Sequence, residues 1–204
     1  MIKTIIFDFG DVFIDLDKEA PFIEMEKLGI TSFTEEMIET NKLYETGRIS
    51  TSKFIEFYTT EFPRISEKGL TEAWNSIILF FPEYRLKFLE ELAASKKYEL
   101  ILLSNTNDLH IEKVIENMTI EMYKRFQKCF DDFYLSQEIH FRKPNSDIYK
   151  FVLDKHQIKA EETFFIDDTL ENIETAKELG IHTWNINPKT EDIINLFSIH
   201  SELF

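Results

Sequence analysis

The chain has 204 residues, of which 38 are acidic and 23 basic, so its formal net charge is −15. A surface of this charge repels the phosphates of nucleic acids and the anionic headgroups of membranes, so we expect neither as a partner. Only five glycines are present, and their spacing excludes the GxGxxG and GxxxxGK[ST] loops that bind nucleotide phosphates. A phosphate ligand would therefore have to be bound by other groups.

Cysteine content and the N-terminal sequence bear on where the protein works. Cys129 is the only cysteine, which excludes an internal disulfide and a Cys-x-x-Cys metal site. The opening residues MIKTIIFDFG lack the apolar core and cleavage site of a secretory signal, and no apolar run is long enough to span a membrane. We expect a cytoplasmic protein in a reducing compartment, and we leave its oligomeric state open.

The predicted strands and helices alternate along most of the chain. Four short apolar runs have the length of strands and cover residues 4–7, 100–103, 130–135 and 163–166. The first, second and fourth are apolar at odd and even positions alike, which is typical of strands buried on both faces of a parallel sheet. Apolar residues at helical spacing predict helices around 86–93, 111–118, 173–179 and 191–197, the third ending at Gly180. The pattern predicts an α/β fold, a three-layer α/β/α Rossmann-like core with a mainly parallel sheet.

The segment between the first and second strands has a different pattern. Its apolar spacing is helical throughout, and we find no convincing strand in it. We therefore predict a small all-helical subdomain, residues 16–80, inserted after the first strand of a core that comprises residues 1–15 and 81–204.

Polar residues follow the predicted strands at the edge where open α/β sheets bind their ligands. These residues are Asp8, Ser104, Asn105, Asp167 and Asp168, joined by Lys143 after the third strand. Each of them alone is more simply explained as a helix cap, a turn residue or a surface lysine. Together they form a set that capping does not require, so we expect them to converge on one site.

The expected site has the chemistry of phosphoryl transfer. Carboxylates crowded together stay ionised when a cation compensates their charge, and oxygen ligands without His or Cys favour Mg²⁺. One carboxylate that faces the phosphorus can act as a nucleophile and form an aspartyl-phosphate. Lys143 can neutralise the transferring group, and Ser104 with the following backbone amides can bind phosphoryl oxygens. We therefore expect a small-molecule phosphate ester as substrate.

Four segments of this chain resemble the four motifs of the haloacid dehalogenase-like (HAD) hydrolase superfamily. They are IIFDFGDV (5–12), LLSN (102–105), RKP (142–144) and FIDD (165–168), and they occur in the family's order. The resemblance covers essentially the whole chain, and the helical insertion matches the cap of such enzymes. The segments 104–110, 134–144 and 164–181 look especially like the bacterial α-D-glucose-1-phosphate phosphatase subgroup. The resemblance implies a Mg²⁺-dependent phosphatase of a sugar phosphate.

The resemblance also assigns roles to individual residues. Asp8 is implied to be the nucleophile and a Mg²⁺ ligand, Gly10 a ligand through its backbone carbonyl, and Asp168 a ligand with Asp167 alongside. Ser104 and the Asn105 amide are implied to hold the phosphoryl group, and Lys143 to bridge it to Asp8. Asn172, four positions after Asp168, is expected to lie on the first turn of the following helix and to support the acidic residues.

One residue departs from the family pattern. Most phosphatases of the superfamily carry a second aspartate two positions after the nucleophile, as a general acid, and here that position is Gly10. General acid catalysis is typically worth about 10²–10⁴-fold, so its loss matters least for a good leaving group such as an anomeric sugar phosphate. Asp11, one position further on, is our candidate for the missing catalytic acid.

Two other functions remain open at this point. The same aspartate hydrolyses carbon–halogen bonds in the family's dehalogenases, which also lack the second aspartate, although such a reaction has no use for both Asp167 and Asp168. The missing acid also suggests a catalytically weak protein that keeps the fold for binding or regulation. Chloride release in the presence of a chelator would favour the first, and the absence of phosphate release from any ester would favour the second.

Overall fold

A computed structural model describes all 204 residues of the chain and contains a single five-stranded parallel sheet. The strands are β1 (Thr4–Phe7), β2 (Glu99–Ser104), β3 (Asp132–Leu135), β4 (Thr163–Asp167) and β5 (His182–Asn185), in the spatial order β3-β2-β1-β4-β5. The central strands β1, β2 and β4 are apolar and buried on both faces, as the sequence predicts. The order places the end of β1 between the ends of β2 and β4.

Eleven α-helices accompany the sheet, and five of them lie between β1 and β2. They are α1 (Ala20–Lys27), α2 (Glu35–Glu45), α3 (Thr51–Glu61), α4 (Glu67–Asn75), α5 (Glu83–Ser95), α6 (Asp108–Met118), α7 (Ile120–Gln127), α8 (Ser136–Ile139), α9 (Ser146–His156), α10 (Leu170–Glu178) and α11 (Leu196–Ile199). Short 3-10 turns cover Ala160–Glu162 and Ile193–Asn195. The predicted α/β fold class is confirmed.

Helices cover both faces of the sheet with separate hydrophobic layers. Ile5 and Phe7 of β1 point into a layer with Leu86 and Leu89 of α5, whereas Ile6 points into the opposite layer with Ile173 of α10. Alternate side chains of one strand thus reach two different helix layers, because successive residues of a strand face opposite sides. This arrangement is the three-layer α/β/α core expected from the sequence.

Helices α1–α4, which we call the helical insertion, pack around their own apolar cluster. Tyr44 stacks on Phe54 with ring centroids 4.3 Å apart, and both rings are buried. Leu109 of α6 joins this cluster, so the insertion packs against the helix that follows β2. The two linkers to the core run side by side, because the Asp15 N–H donates to the Phe80 carbonyl and the Leu79 N–H donates to the Asp15 carbonyl. Our division of the chain at residues 15/16 and 80/81 stays a prediction.

Three details of the secondary structure differ from the sequence prediction. The third strand begins at Asp132 rather than at residue 130, because Phe130 instead packs into the aromatic cluster of the core. The edge strand β5 is not predicted at all, since Trp184 is its one buried residue and no apolar run marks it. The predicted helix over 191–197 is a 3-10 turn followed by α11, which extends to Ile199.

Candidate active site

Three carboxylates meet at the carboxyl edge of the sheet. Asp8 directly follows β1 and Asp167 ends β4, and these strands are hydrogen-bonded neighbours with Phe7 opposite Ile166. One oxygen from each of Asp8, Asp167 and Asp168 lies within 4.8 Å of the others. Asp167 is fully buried, whereas Asp8 and Asp168 are partly exposed. The parallel sheet therefore brings together carboxylates that are about 160 residues apart in the chain, as the spacing of the motifs requires.

Lys143 is buried between two of these carboxylates. Its side chain is 1% exposed, and its Nζ lies 2.8 Å from Asp8 Oδ1 and 2.7 Å from Asp167 Oδ2. Burial acts to lower the pKa of Lys143, but the charges of Asp167 and Asp8 outweigh it, so the net shift is upward. The ammonium group is therefore charged and held at the position where negative charge is densest.

The Asn105 side chain fixes the backbone that carries Lys143. Asn105 Oδ1 accepts a hydrogen bond from the Lys143 N–H at 2.9 Å, and Asn105 Nδ2 donates to the Lys143 carbonyl at 2.8 Å. Its own backbone N–H donates no hydrogen bond within the chain, and neither does the hydroxyl of Ser104 at the buried end of β2. These two donors remain available to a ligand beside Asp8.

Asn172, on the first turn of α10, supports the acidic group from behind. Its Nδ2 donates to both carboxylate oxygens of Asp167 at 3.0 Å. Asp167 also accepts the backbone N–H of Thr169 at 2.8 Å. With Lys143 and Asn172 as partners, the Asp167 carboxylate has a fixed orientation.

A second lysine lies on the exposed side of the site. Lys18 precedes α1 and forms salt bridges with Asp168 and, at 3.2 Å, with Asp11. Partial burial acts to lower the pKa of Lys18, but the contacts with Asp168 and Asp11 raise it overall. Asp11 has a left-handed backbone (φ 54°), and its Oδ1 accepts the Leu16 N–H at 3.0 Å. The Asp11 carboxylate therefore faces this acidic corner, and its catalytic role stays a prediction.

Gly10 lies close to the Asp8 carboxylate. A Cβ added at Gly10 would come 2.6 Å from Leu16 Cδ1 and 4.0 Å from Asp8 Oδ2. A side chain at this position would have to displace Leu16, so the local packing matches the glycine that replaces the family's second aspartate.

The electrostatics of the site fit a divalent cation. When all four are ionised, Asp8, Asp11, Asp167 and Asp168 carry two more charges than the two ammonium groups that they face, those of Lys143 and Lys18. Burial raises the pKa of Asp8 to about 7, with Lys143 opposing the shift and Asp167 and Asp168 adding to it. Carboxylate oxygens without His or Cys are the donor set that Mg²⁺ prefers, so these residues fit that ion.

A cavity of about 490 Å³ lies between the helical insertion and the core, and Lys18, the partner of Asp168, is one of the residues that line it. Its apolar wall includes Phe22, Met25, Phe33 and Trp74 of the insertion, and its polar lining includes Lys18, Glu45, His110 and Arg142. The volume suits a small organic leaving group attached to a phosphate at Asp8.

Sequence reasoning missed several residues that line this cavity. Arg142, adjacent to Lys143, pairs through its NH2 group with Glu45 of α2 at 3.1 Å. His110 stacks on Trp74 at 5.4 Å and donates from Nε2 to the Trp74 carbonyl. The sequence signal for both was their closeness to a motif, because Arg142 directly precedes Lys143 and His110 follows Asn105 within a few residues. Two other residues of the insertion do not line it, since Tyr44 packs in its core and Arg48 lies 3.5 Å from the His140 carbonyl.

Comparison with known proteins identifies the family. A family model described as haloacid dehalogenase-like hydrolase matches residues 2–180. The chain is 29% identical over 191 residues to the D-ribitol-5-phosphate phosphatase of Bacteroides thetaiotaomicron, covering 90% of this chain and 91% of that protein. It is 25% identical over 206 residues to the glyceraldehyde 3-phosphate phosphatase of Methanocaldococcus jannaschii, covering 91% and 85% respectively.

Solved structures agree with these relatives. A HAD family enzyme of Bacteroides thetaiotaomicron in a magnesium complex superposes with a TM-score of 0.83 at 34% identity, covering 96% of this chain and 98% of that one. A predicted HAD-like family hydrolase from Porphyromonas gingivalis superposes with a TM-score of 0.79 at 26% identity, covering 98% and 97%. None of the helices is long and apolar enough to cross a membrane.

The fold and these matches agree with the motif order read from the sequence. The chain therefore belongs to the haloacid dehalogenase-like hydrolases, and within them it is a phosphoric monoester hydrolase that uses Mg²⁺.

Proposed function

We propose that the chain hydrolyses the phosphate ester of a small sugar or sugar alcohol through an aspartyl-phosphate on Asp8. The observation that carries this proposal is the Asp8 carboxylate, held 2.8 Å from buried Lys143 within a group of three carboxylates. Ribitol 5-phosphate and glyceraldehyde 3-phosphate are candidates because relatives are named for them. Glucose 1-phosphate is a third candidate, from the subgroup that the motifs resemble.

The reaction has two displacements at phosphorus. In the first, a carboxylate oxygen of Asp8 forms a bond to phosphorus while the ester oxygen leaves with its electron pair and takes up a proton. In the second, water attacks the phosphorus, which releases inorganic phosphate and restores the Asp8 carboxylate. Lys143 offsets the charge that develops on the transferring group, and the Ser104 hydroxyl and Asn105 N–H donate hydrogen bonds to its oxygens.

The Mg²⁺ ligands in this proposal are Asp8, the Gly10 carbonyl, Asp168 and Asp167. When bound, the ion supplies positive charge that offsets the charge on the phosphoryl oxygens. Lys143 and Asn172 hold Asp167 in the orientation that this set of ligands needs.

The leaving group needs a proton, and Gly10 has no side chain that could donate it. We propose Asp11 as the donor, on the basis of its position at the acidic corner of the site next to Lys18. The helical insertion acts in this proposal as a cap, because its residues form one wall of the cavity that receives the leaving group.

Replacing the nucleophile tests the proposal. Asp8→Asn is expected to abolish phosphate release from the three candidate esters and from p-nitrophenyl phosphate, because an amide cannot form the phosphoenzyme. The matched control is Asp154→Asn on the exposed face of α9, which is expected to keep full activity. Removal of Mg²⁺ with a chelator should also stop turnover. Most of the activity surviving in Asp8→Asn would overturn the assignment, and no release by the wild type would favour a binding role.

A further inference from the structure

The two lysines of the site have opposite environments. Lys143 is 1% exposed and is held by Asp8 and Asp167, whereas the Lys18 side chain is 51% exposed. Lys18 lies at the boundary between the core and the helical insertion, two residues before α1. Its ammonium group contacts Asp168 on one side and Asp11 on the other. Lys18 is therefore a cation in the acidic group that can change partners by rotating its long side chain.

The contact with Asp168 conflicts with metal binding. Asp168 Oδ2 is the oxygen that the Lys18 ammonium occupies, and Oδ1 has only a long contact of 3.5 Å from the Thr169 hydroxyl. An ammonium group and a divalent cation repel each other at such short range, and desolvation strengthens the repulsion. Asp168 Oδ1 is free to bind Mg²⁺, but an ammonium group held on Oδ2 opposes the approach of the cation, so metal binding and the close ion pair with Lys18 weaken each other.

Lys18 has a second location available. It also lines the cavity that lies against the helical insertion, together with His110 and Arg142. Asp11 Oδ2, at 3.2 Å, remains a partner for an ammonium group that has left Asp168. The side chain can thus turn toward the leaving-group cavity without losing all of its negative neighbours.

We propose that Lys18 competes with Mg²⁺ for Asp168, and that with Mg²⁺ bound its ammonium group donates a hydrogen bond to the leaving group of the ester. The competition follows from the ion pairs alone, whereas the contact with the leaving group rests on the proposed function. Lys18 would then link metal binding to recognition of the organic part of the substrate.

Calorimetric titration of the whole protein with Mg²⁺, in the absence of any ester, tests the competition. Lys18→Met is expected to bind Mg²⁺ about tenfold more tightly than the wild type, since the neutral side chain neither repels the cation nor competes with it for Asp168. The matched control is Lys27→Met, which removes the same charge from an exposed position whose partner is Glu24 at 2.6 Å, and it should leave the affinity unchanged. Equal or weaker binding by Lys18→Met would overturn the competition.

Kinetics at saturating Mg²⁺ test the contact with the leaving group. Lys18→Met should raise KM for the best ester about tenfold with a smaller change in kcat, and Lys18→Arg should restore KM because it keeps a charged donor. Inorganic phosphate has no leaving group, so its inhibition constant should stay unchanged. A KM that does not rise, or an inhibition constant that rises with it, would overturn this contact. If the wild type hydrolyses no ester, the proposed function fails while the calorimetry still decides the competition.

Discussion

Replacing Gly47 with alanine tests how tightly the helical insertion is seated on the core. Gly47 follows α2 with φ +61°, and a Cβ built on it would lie 2.0 Å from the backbone carbonyl oxygen of Gln137 in α8. Carbon and oxygen atoms cannot approach so closely, so an alanine must push the end of α2 away from α8. The substitution therefore forces the insertion and the core apart at this contact.

The expected loss of stability has two parts. Left-handed backbone costs a residue with a Cβ about 1–2 kcal/mol relative to glycine. Separation of the two segments also breaks two hydrogen bonds, from Ser136 Oγ to the Glu45 carbonyl at 2.6 Å and from His140 Nδ1 to the Thr46 carbonyl at 2.8 Å. Each contributes about 1 kcal/mol, so Gly47→Ala should lower the free energy of unfolding by about 3–4 kcal/mol.

Gly29→Ala is the matched control, because Gly29 also has a positive φ (+93°) but nothing lies within 4 Å of its added Cβ. Urea unfolding should show a loss of only about 1–2 kcal/mol for this variant. The ratio kcat/KM should fall roughly tenfold to a hundredfold for Gly47→Ala, since α2 carries Glu45, the partner of Arg142 beside Lys143. Gly29→Ala should keep it. Equal losses of stability in the two variants would show that the contact between the added Cβ and Gln137 costs no stability.

Two further predictions concern a partly buried and a buried ionisable group. Burial lowers the pKa of His110 from 6.5 to about 4, so between those pH values the unfolded chain binds a proton that the folded chain does not, and stability falls as the pH falls. Between pH 7.5 and pH 5, protonation of His110 in the unfolded chain should lower the free energy of unfolding by about 2 kcal/mol. In urea unfolding, His110→Gln should therefore lose less stability than the wild type over this pH range. An unchanged pH dependence of stability would contradict the assignment. Arg85 is buried and bonded to Asp15 at 2.7 Å and to Asp192 at 3.2 Å. Arg85→Met should lower the free energy of unfolding by about 2–3 kcal/mol. The control Arg125→Met, at an exposed ion pair, should lower it by less than about 1 kcal/mol. Similar losses in the two variants would show that burial does not strengthen the ion pairs of Arg85.

The sheet and its functional edge follow from short-range patterns in the sequence. After an initial threonine, runs such as residues 4–7 and 163–166 are apolar at every position, and only a strand covered on both faces buries all of these side chains. Polar residues that follow such strands must then lie at one edge, which is why Asp8 and Asp167 could be paired from the sequence. The edge strand β5 gave no such signal, because an edge strand with a single buried residue needs no apolar run.

The wall of the cavity could not be predicted in the same way. Trp74 and His110 are in contact, as are Glu45 and Arg142, although the members of each pair lie far apart in the chain. These contacts exist because the insertion is seated on α6 and α8, through Leu109 in its apolar cluster and Gly47 against Gln137. No periodicity in the sequence specifies how two separately packed units fit together.

The sequence by itself thus determined the fold class, the order of the motifs and the convergence of the acidic residues at one edge of the sheet, because each depends on local patterns and on the topology of a parallel sheet. The tertiary structure alone decided which side chains line the cavity and that Lys18 lies between Asp168 and Asp11. The physical reason is that these contacts depend on how the insertion packs against the core, which is set by close contacts between distant segments. The charge of −15 has a local counterpart in this site, where acidic side chains outnumber the lysines and favour a divalent cation.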